Sequence, residues 1–300
     1  MNFQPTADQQ LFARTVRELL EKECPPDAAR AGFSLSRWEK LLEMGVVDML
    51  AQGMNEIDMV PILEEAGRAA LPEPLIEASI VAGEALNGVV TAAVGTRYAA
   101  HADVADVIIV EKHGALYSLQ RDDATLQPIE TIDAPRSLFL ITGGHDRGTR
   151  LETDTDLAIS RASLGAAAEL IGLAARCVEM AADYAKERQQ FGKPIGSFQA
   201  VKHKLADALL QLEFARPAVY RAAWSLANNE NTKARDVSMA KAMAGDAAAG
   251  AAKAALQTLG AIGYTQEHDL HIWMKRIWAL NAAWGNPDEH RARVASSVIA

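Results

Sequence analysis

The chain has 300 residues, 49% of them apolar and 23% charged, with 39 acidic against 30 basic side chains and a formal charge of −9. That length can bury a substantial core and predicts about two domains, while the acidic balance argues against a general nucleic-acid binder, which needs a basic face to neutralise phosphates. The two cysteines, Cys24 and Cys177, belong to no CxxC or Cys/His cluster. A disulfide framework or a metal site is therefore not expected, and the pattern fits a reducing cytoplasm. Met1 to Leu11 carries no basic-then-apolar leader, and no run approaches about 18 apolar residues, so neither a signal peptide nor a membrane span is expected.

Residues 7–22 place Leu11, Phe12, Val16, Leu19 and Leu20 at helical spacing, with Thr6 or Asp8 as cap and Pro25-Pro26 as the stop. A second helix is expected over 36–44, a third over 58–71 up to Pro72 and Pro74, and a fourth apolar one over 75–87. The texture then changes. Residues 105–110, 115–119 and 137–141 read as strands with a turn at Gly143-Gly144, which predicts a small antiparallel sheet or barrel. Beyond Asp154 the chain is alanine-rich, with helices expected at 160–190, 198–228, 232–259 and 265–284. The resulting fold class is mainly α. It comprises an N-terminal helical domain (1–93), a small β-domain (94–153) and a C-terminal four-helix bundle (154–300).

The joint between the first two bundle helices is chemically distinct. Lys186 to Lys204 holds five Lys/Arg and one acid, against the sign of the whole chain. A local basic cluster of this kind points to an anionic ligand such as a phosphate, or, equally on spacing alone, to a solvated turn with surface lysines. Arg188 can grip a diphosphate bidentately, which lysine cannot do, and Phe191 can stack on a ring.

Tyr184-Ala185, Arg188, Phe191-Gly192, Ile195, Phe198-Gln199 and Leu205-Ala206-Asp207 fall at the spacing of the acyl-CoA dehydrogenase signature. Gln257-Thr258-Leu259-Gly260-Ala261-Ile262-Gly263-Tyr264-Thr265 resembles that family's second glycine turn. Met274-Lys275-Arg276 with Arg291 resembles a third element, and Glu64-Glu65-Ala66-Gly67-Arg68 with Pro72 and Pro74 echoes a fourth. The resemblance implies an FAD enzyme that places a double bond between Cα and Cβ of a CoA thioester. It assigns Arg188, Phe191 and Gln199, with Gln257, Gly260, Ala261 and Gly263, to a cofactor site shared between neighbouring chains. Glycine lets backbone approach a ligand closely; Ala261 stands where the family has a second glycine and narrows that approach by one methyl group.

The resemblance also exposes what is missing. α,β-Dehydrogenation needs a carboxylate to take the α-proton, yet the two family base positions hold Trp284 and Ala162. Glu289 is the candidate relocated base, with Asp288 and Glu267 behind it, all three more ordinary as surface or capping carboxylates. Ser163 occupies the family's thioester-side arginine position, and Arg161 lies two residues away. The middle domain is short and lacks the segments that hold the flavin ring. Three readings follow. The chain is a subunit that completes the FAD site of a longer homologous chain, with an acyl-CoA substrate and an electron-transfer flavoprotein-like acceptor. Alternatively it is a non-catalytic structural subunit or pseudoenzyme of the same fold, or a self-sufficient homo-oligomer.

Overall fold

A computed structural model describes residues 5–81 and 87–299. The first helix, α1 (Ala7–Glu23), begins at Thr6 in a reciprocal capping box: the Thr6 hydroxyl accepts from Gln9 N, and the Gln9 side chain accepts from Thr6 N. Pro25-Pro26 both ends α1 and starts a short helix not foreseen from periodicity, α2 (Pro26–Ala31), because proline suits the first helical position. Next come α3 (Leu35–Glu43) and α4 (Glu56–Arg68); α4 starts two residues early because Asn55 and Asp58 form a second capping box. The helix expected over 75–87 appears as α5 (Leu75–Ala78), and residues 82–86 lie outside the described residues.

Seven strands follow: β1 (Val90–Ala93), β2 (Tyr98–Ala100), β3 (Val107–Lys112), β4 (Ala115–Gln120), β5 (Thr125–Ile129), β6 (Leu138–Gly143) and β7 (Thr149–Arg150). They form two sheets, ordered β1-β3-β4-β7 and β2-β6-β5. The expectation of purely antiparallel pairing is corrected at one place. β1 runs parallel to β3, Val90 opposite Val107, because β2 crosses to the second sheet before the chain returns. β3 is buried over Val107–Val110, as a central strand covered on both faces should be.

The bundle consists of α6 (Thr155–Glu187), α7 (Gln199–Ala227), α8 (Lys233–Leu259) and α9 (Leu270–Ala282), and a fifth helix, α10 (Pro287–Ile299), packs on α8. α6 is long and apolar enough to cross a membrane by length and composition, but 83% of its most apolar window is buried inside the protein. Buried alanines on α6 (Ala166, Ala167, Ala174) and α8 (Ala244, Ala248, Ala251) bring the two axes close together. α6 also crosses α4 backbone to backbone. A Cβ on Gly67 would strike the Glu169 carbonyl, and one on Gly172 would strike that of Glu64. Glycine at both positions permits a contact that any side chain would prevent.

Candidate functional site

The basic joint is a β-hairpin rather than a plain helix-to-helix turn. β8 (Gln189–Gln190) pairs with β9 (Lys193–Pro194), and Ile195 N donates to the Arg188 carbonyl at 2.8 Å to close the loop. The two linking residues, Phe191 (φ 54°) and Gly192 (φ 77°), both lie in the left-handed region, as a two-residue type I′ hairpin requires. For a bulky aromatic this conformation costs about 1–2 kcal/mol. The Phe191 ring is 91% exposed and meets the Phe198 ring edge-on at 6.1 Å between centroids. Strain combined with exposure of a large apolar ring marks a side chain held out for contact.

Around that ring the charge is positive. Arg188 is exposed, and among the described residues its guanidinium has neither hydrogen bond nor ion pair. Gln199 opens α7, which receives no side-chain cap from Phe198; Val201 N and Lys202 N donate to the Phe198 carbonyl at 3.1 Å, and among the described residues the N–H groups of Gln199 and Ala200 are left for solvent or an external acceptor. An uncapped helix start beside an unpaired arginine suits an anion. Lys193 is spent differently, with its ammonium 4.5 Å from the Phe198 ring centroid.

The second glycine turn reaches the same end of the bundle. Lys204 of α7 donates to Gln257 near the end of α8, and Tyr184 of α6 meets His268 edge-on at 6.3 Å. Gly260 ends α8 at φ 66°, and nothing lies within 4 Å of where its Cβ would be. Ala261 is exposed, so its methyl group points into no neighbouring structure of the chain. Gly263 is different. It is buried, and an added Cβ would sit 3.1 Å from Leu256 Cδ1 and from Leu259 Cβ, so it serves packing instead of facing a ligand.

The base and substrate positions lie elsewhere, and the structure brings them to no common point. Ala162 and Ser163 are buried on α6. The Arg161 guanidinium pairs with Glu56 at 2.7 Å and donates to the Ile80 carbonyl, which occupies the charge expected to meet a thioester. Glu289 caps α10: its carboxylate accepts from Asn286 N at 3.1 Å while Asn286 Oδ1 accepts from Glu289 N at 3.0 Å. Asp288 pairs with Arg291, and Glu267 is exposed on the loop before α9. Trp284 lines a cleft of about 380 Å³ between the α9–α10 turn and the β-domain, and Ser163 lines a separate pocket of about 240 Å³ together with His290.

Beneath that cleft is a charge cluster with no linear signal. Arg276 of α9 is 1% exposed and pairs with Asp133; Arg136 pairs with Glu77 of α5; Glu169 of α6 is buried beside them. Its members come from four separate segments, so no spacing announces it. Burial pushes the Glu169 carboxyl up to about 7, with Arg136 and Arg276 opposing only in part. The folded state therefore favours neutral Glu169. That preference costs nothing below about pH 4.5 and erodes stability as pH rises from there through 7. Glu169→Gln is expected to match the native protein near pH 4.5 and to exceed it at pH 8 by on the order of 1–3 kcal/mol. Thermal midpoints at the two pH values check this; an equal shift at both would remove the assignment.

Comparison with known proteins agrees with the geometry. Residues 146–299 match the family described as acyl-CoA dehydrogenase, C-terminal domain. Acyl-CoA dehydrogenase IpdE2 from Mycolicibacterium smegmatis is 32% identical over 319 residues, covering 97% of this chain and 99% of that protein. Two solved structures share the fold. A variant of the Tcur3481-Tcur3483 steroid ACAD superposes with a TM-score of 0.85 at 18% identity, covering 97% of this chain and 98% of that one. The ChsE4-ChsE5 complex from Mycobacterium tuberculosis gives 0.81 at 20% identity, covering 100% and 99%. With the hairpin, the glycine turn and the three-part architecture in place, the chain belongs to the acyl-CoA dehydrogenase family.

Proposed function

We propose that this chain is a subunit of an FAD-dependent acyl-CoA dehydrogenase and completes the flavin site of a longer homologous chain. The observation that carries this reading is Arg188: exposed, unpaired among the described residues, and set beside a strained, solvent-facing Phe191 and the uncapped start of α7. Such a group fits the diphosphate and adenine half of FAD. Gln199, Gln257 and the open backbone at Gly260 extend the same surface. The short β-domain lacks the sequence segments with which the family holds the flavin ring.

FAD, when bound, accepts the hydride that leaves Cβ of the thioester. The residues of this chain bind and orient; they do not move the α-proton, because Trp284 and Ala162 stand at the two base positions and Glu289 caps α10. The carboxylate that takes the α-proton then belongs to the partner chain, which also binds the acyl-CoA, and an electron-transfer flavoprotein-like acceptor removes the electrons. A protein neighbour also accounts for the apolar face of α7, where Leu209, Leu210 and the 67% exposed Phe214 lie open. Two buried free thiols, Cys24 and Cys177, suit a reducing, cytoplasmic setting.

The missing acid equally favours a second reading, a structural subunit without a cofactor. Purifying the chain alone and co-expressed with a longer acyl-CoA dehydrogenase chain of the same organism separates the two. Yellow protein only in the co-expressed complex, oxidising acyl-CoA, is the expected result. Colourless protein in both preparations supports pure scaffolding, and a yellow, active homo-oligomer rules out the shared site.

A further inference from the structure

His101 follows β2 with φ 53°, in the left-handed region that histidine enters more readily than most side chains, and the surrounding chain fixes it there. Its backbone N–H donates to the Ser137 carbonyl at 2.7 Å, and its own carbonyl accepts from Val104 N and Ala105 N, both at 3.1 Å. The ring is equally constrained. It packs on Phe33 at 5.5 Å between centroids, and Nε2 lies 2.8 Å from the Pro72 carbonyl. A carbonyl can only accept, so Nε2 carries the proton. Burial pushes the imidazole down to about 4, which leaves it neutral at physiological pH and Nδ1 a bare acceptor. His101 is 2% exposed, yet Nδ1 has no hydrogen-bond partner among the described residues, and it is not one of the polar atoms sealed unpaired in the interior.

That ring lines a pocket of about 300 Å³ where the loop after α2, the turn after β2 and the loop before β6 meet. Gly32 permits the close approach that shapes it: at φ 92°, an added Cβ would sit 2.9 Å from the Pro135 carbonyl. Phe33 supplies an apolar side. The polar side is acidic. Asp103 is exposed, and among the described residues its carboxylate has neither a hydrogen bond nor an ion pair. Arg30 also lines the pocket, but its guanidinium is held by Asp27 at 2.6 Å and by Asp269. Asp27, Asp103 and Asp269 therefore outweigh Arg30, and the local field favours a positive guest. An unpaired carboxylate, a bare imidazole nitrogen and an aromatic face together suit a cationic group that carries N–H donors. A quaternary ammonium has the charge but no donor, an alcohol has the donor but no charge, and an anion has neither.

We propose that this pocket binds a primary ammonium group carried on a short alkyl chain. The ammonium donates to His101 Nδ1 and faces Asp103, and the methylene stem lies against Phe33. A free amine and the lysine side chain of another protein share this chemistry. The site is independent of the flavin reading, since no residue of the basic hairpin lines it.

Four probes test it in ligand-observed NMR titrations of the full chain at neutral pH: pentylamine, pentyltrimethylammonium, pentanol and Nα-acetyl-lysine N-methylamide. Pentylamine is expected to bind saturably and at least tenfold more tightly than pentanol and pentyltrimethylammonium. Tighter binding of the blocked lysine than of pentylamine names a protein side chain as the guest, and the reverse order names a free amine; either supports the site. Asp103→Asn, at an exposed position, is expected to weaken pentylamine at least fivefold with the thermal midpoint unchanged. His101→Asn, which tolerates the positive φ, is expected to do the same to affinity, with its thermal midpoint reported alongside. No saturable binding of pentylamine, equal binding of pentyltrimethylammonium, or an unchanged affinity in Asp103→Asn would each overturn the proposal.

Discussion

Replacing Asp133 with alanine is expected to lower stability by about 3–5 kcal/mol, because it strands the Arg276 guanidinium in the interior. Arg276 is 1% exposed, and its remaining partner is the Leu71 carbonyl; its Nη2 is already without a partner. A lone buried charge keeps its full desolvation penalty, whereas the intact pair offsets part of it through attraction at close range. For a chain of this size the loss corresponds to a fall on the order of 10 °C in thermal midpoint. The double variant Asp133→Leu with Arg276→Met should recover most of that loss, since two apolar side chains leave no charge buried. Scanning fluorimetry or denaturant titration of the three variants decides it. A single-variant loss below about 1 kcal/mol would mean that water reaches the pair.

The second large effect concerns the hairpin. Arg188→Ala should leave the thermal midpoint of the isolated chain unchanged, because the guanidinium makes no bond inside it among the described residues. In the assembled complex the same change should weaken FAD retention roughly 10- to 100-fold, the worth of a charge-assisted bond of about 1.5–3 kcal/mol. Arg188→Lys should restore only part of this, since an ammonium cannot span two phosphate oxygens in a fixed fork. Flavin absorbance per complex after extensive dialysis is the measurement. Full flavin content in Arg188→Ala would show that the hairpin lies away from the cofactor, whatever the remaining chemistry of the complex.

Much of the molecule was legible in one dimension. The 3.6-residue spacing of apolar side chains located α1, α3, α4 and the long bundle helices; a β-branched run located β3, alternation located β4, and an apolar run located β6. The spacing of Arg188, Phe191 and Gly192, followed in order by the turn at Gln257, carried the family resemblance in one dimension. Local rules also account for the errors. α2 is too short to show a period, and α4 starts where a cap sits, not where the hydrophobic pattern begins. The parallel pairing of β1 with β3 depends on which sheet β2 joins, a choice made by contacts distant in sequence.

The sequence by itself determined the helical domains and the basic joint, because each is written in neighbouring residues whose spacing repeats a backbone period or a motif. Only the tertiary structure decided that Glu289 caps a helix, that Arg161 is already spent on Glu56, and that Glu77, Asp133, Arg136, Glu169 and Arg276 meet beneath one cleft. The physical reason is that a charge acquires its role from the partner and the dielectric that folding supplies, and those partners come from segments up to 143 residues apart.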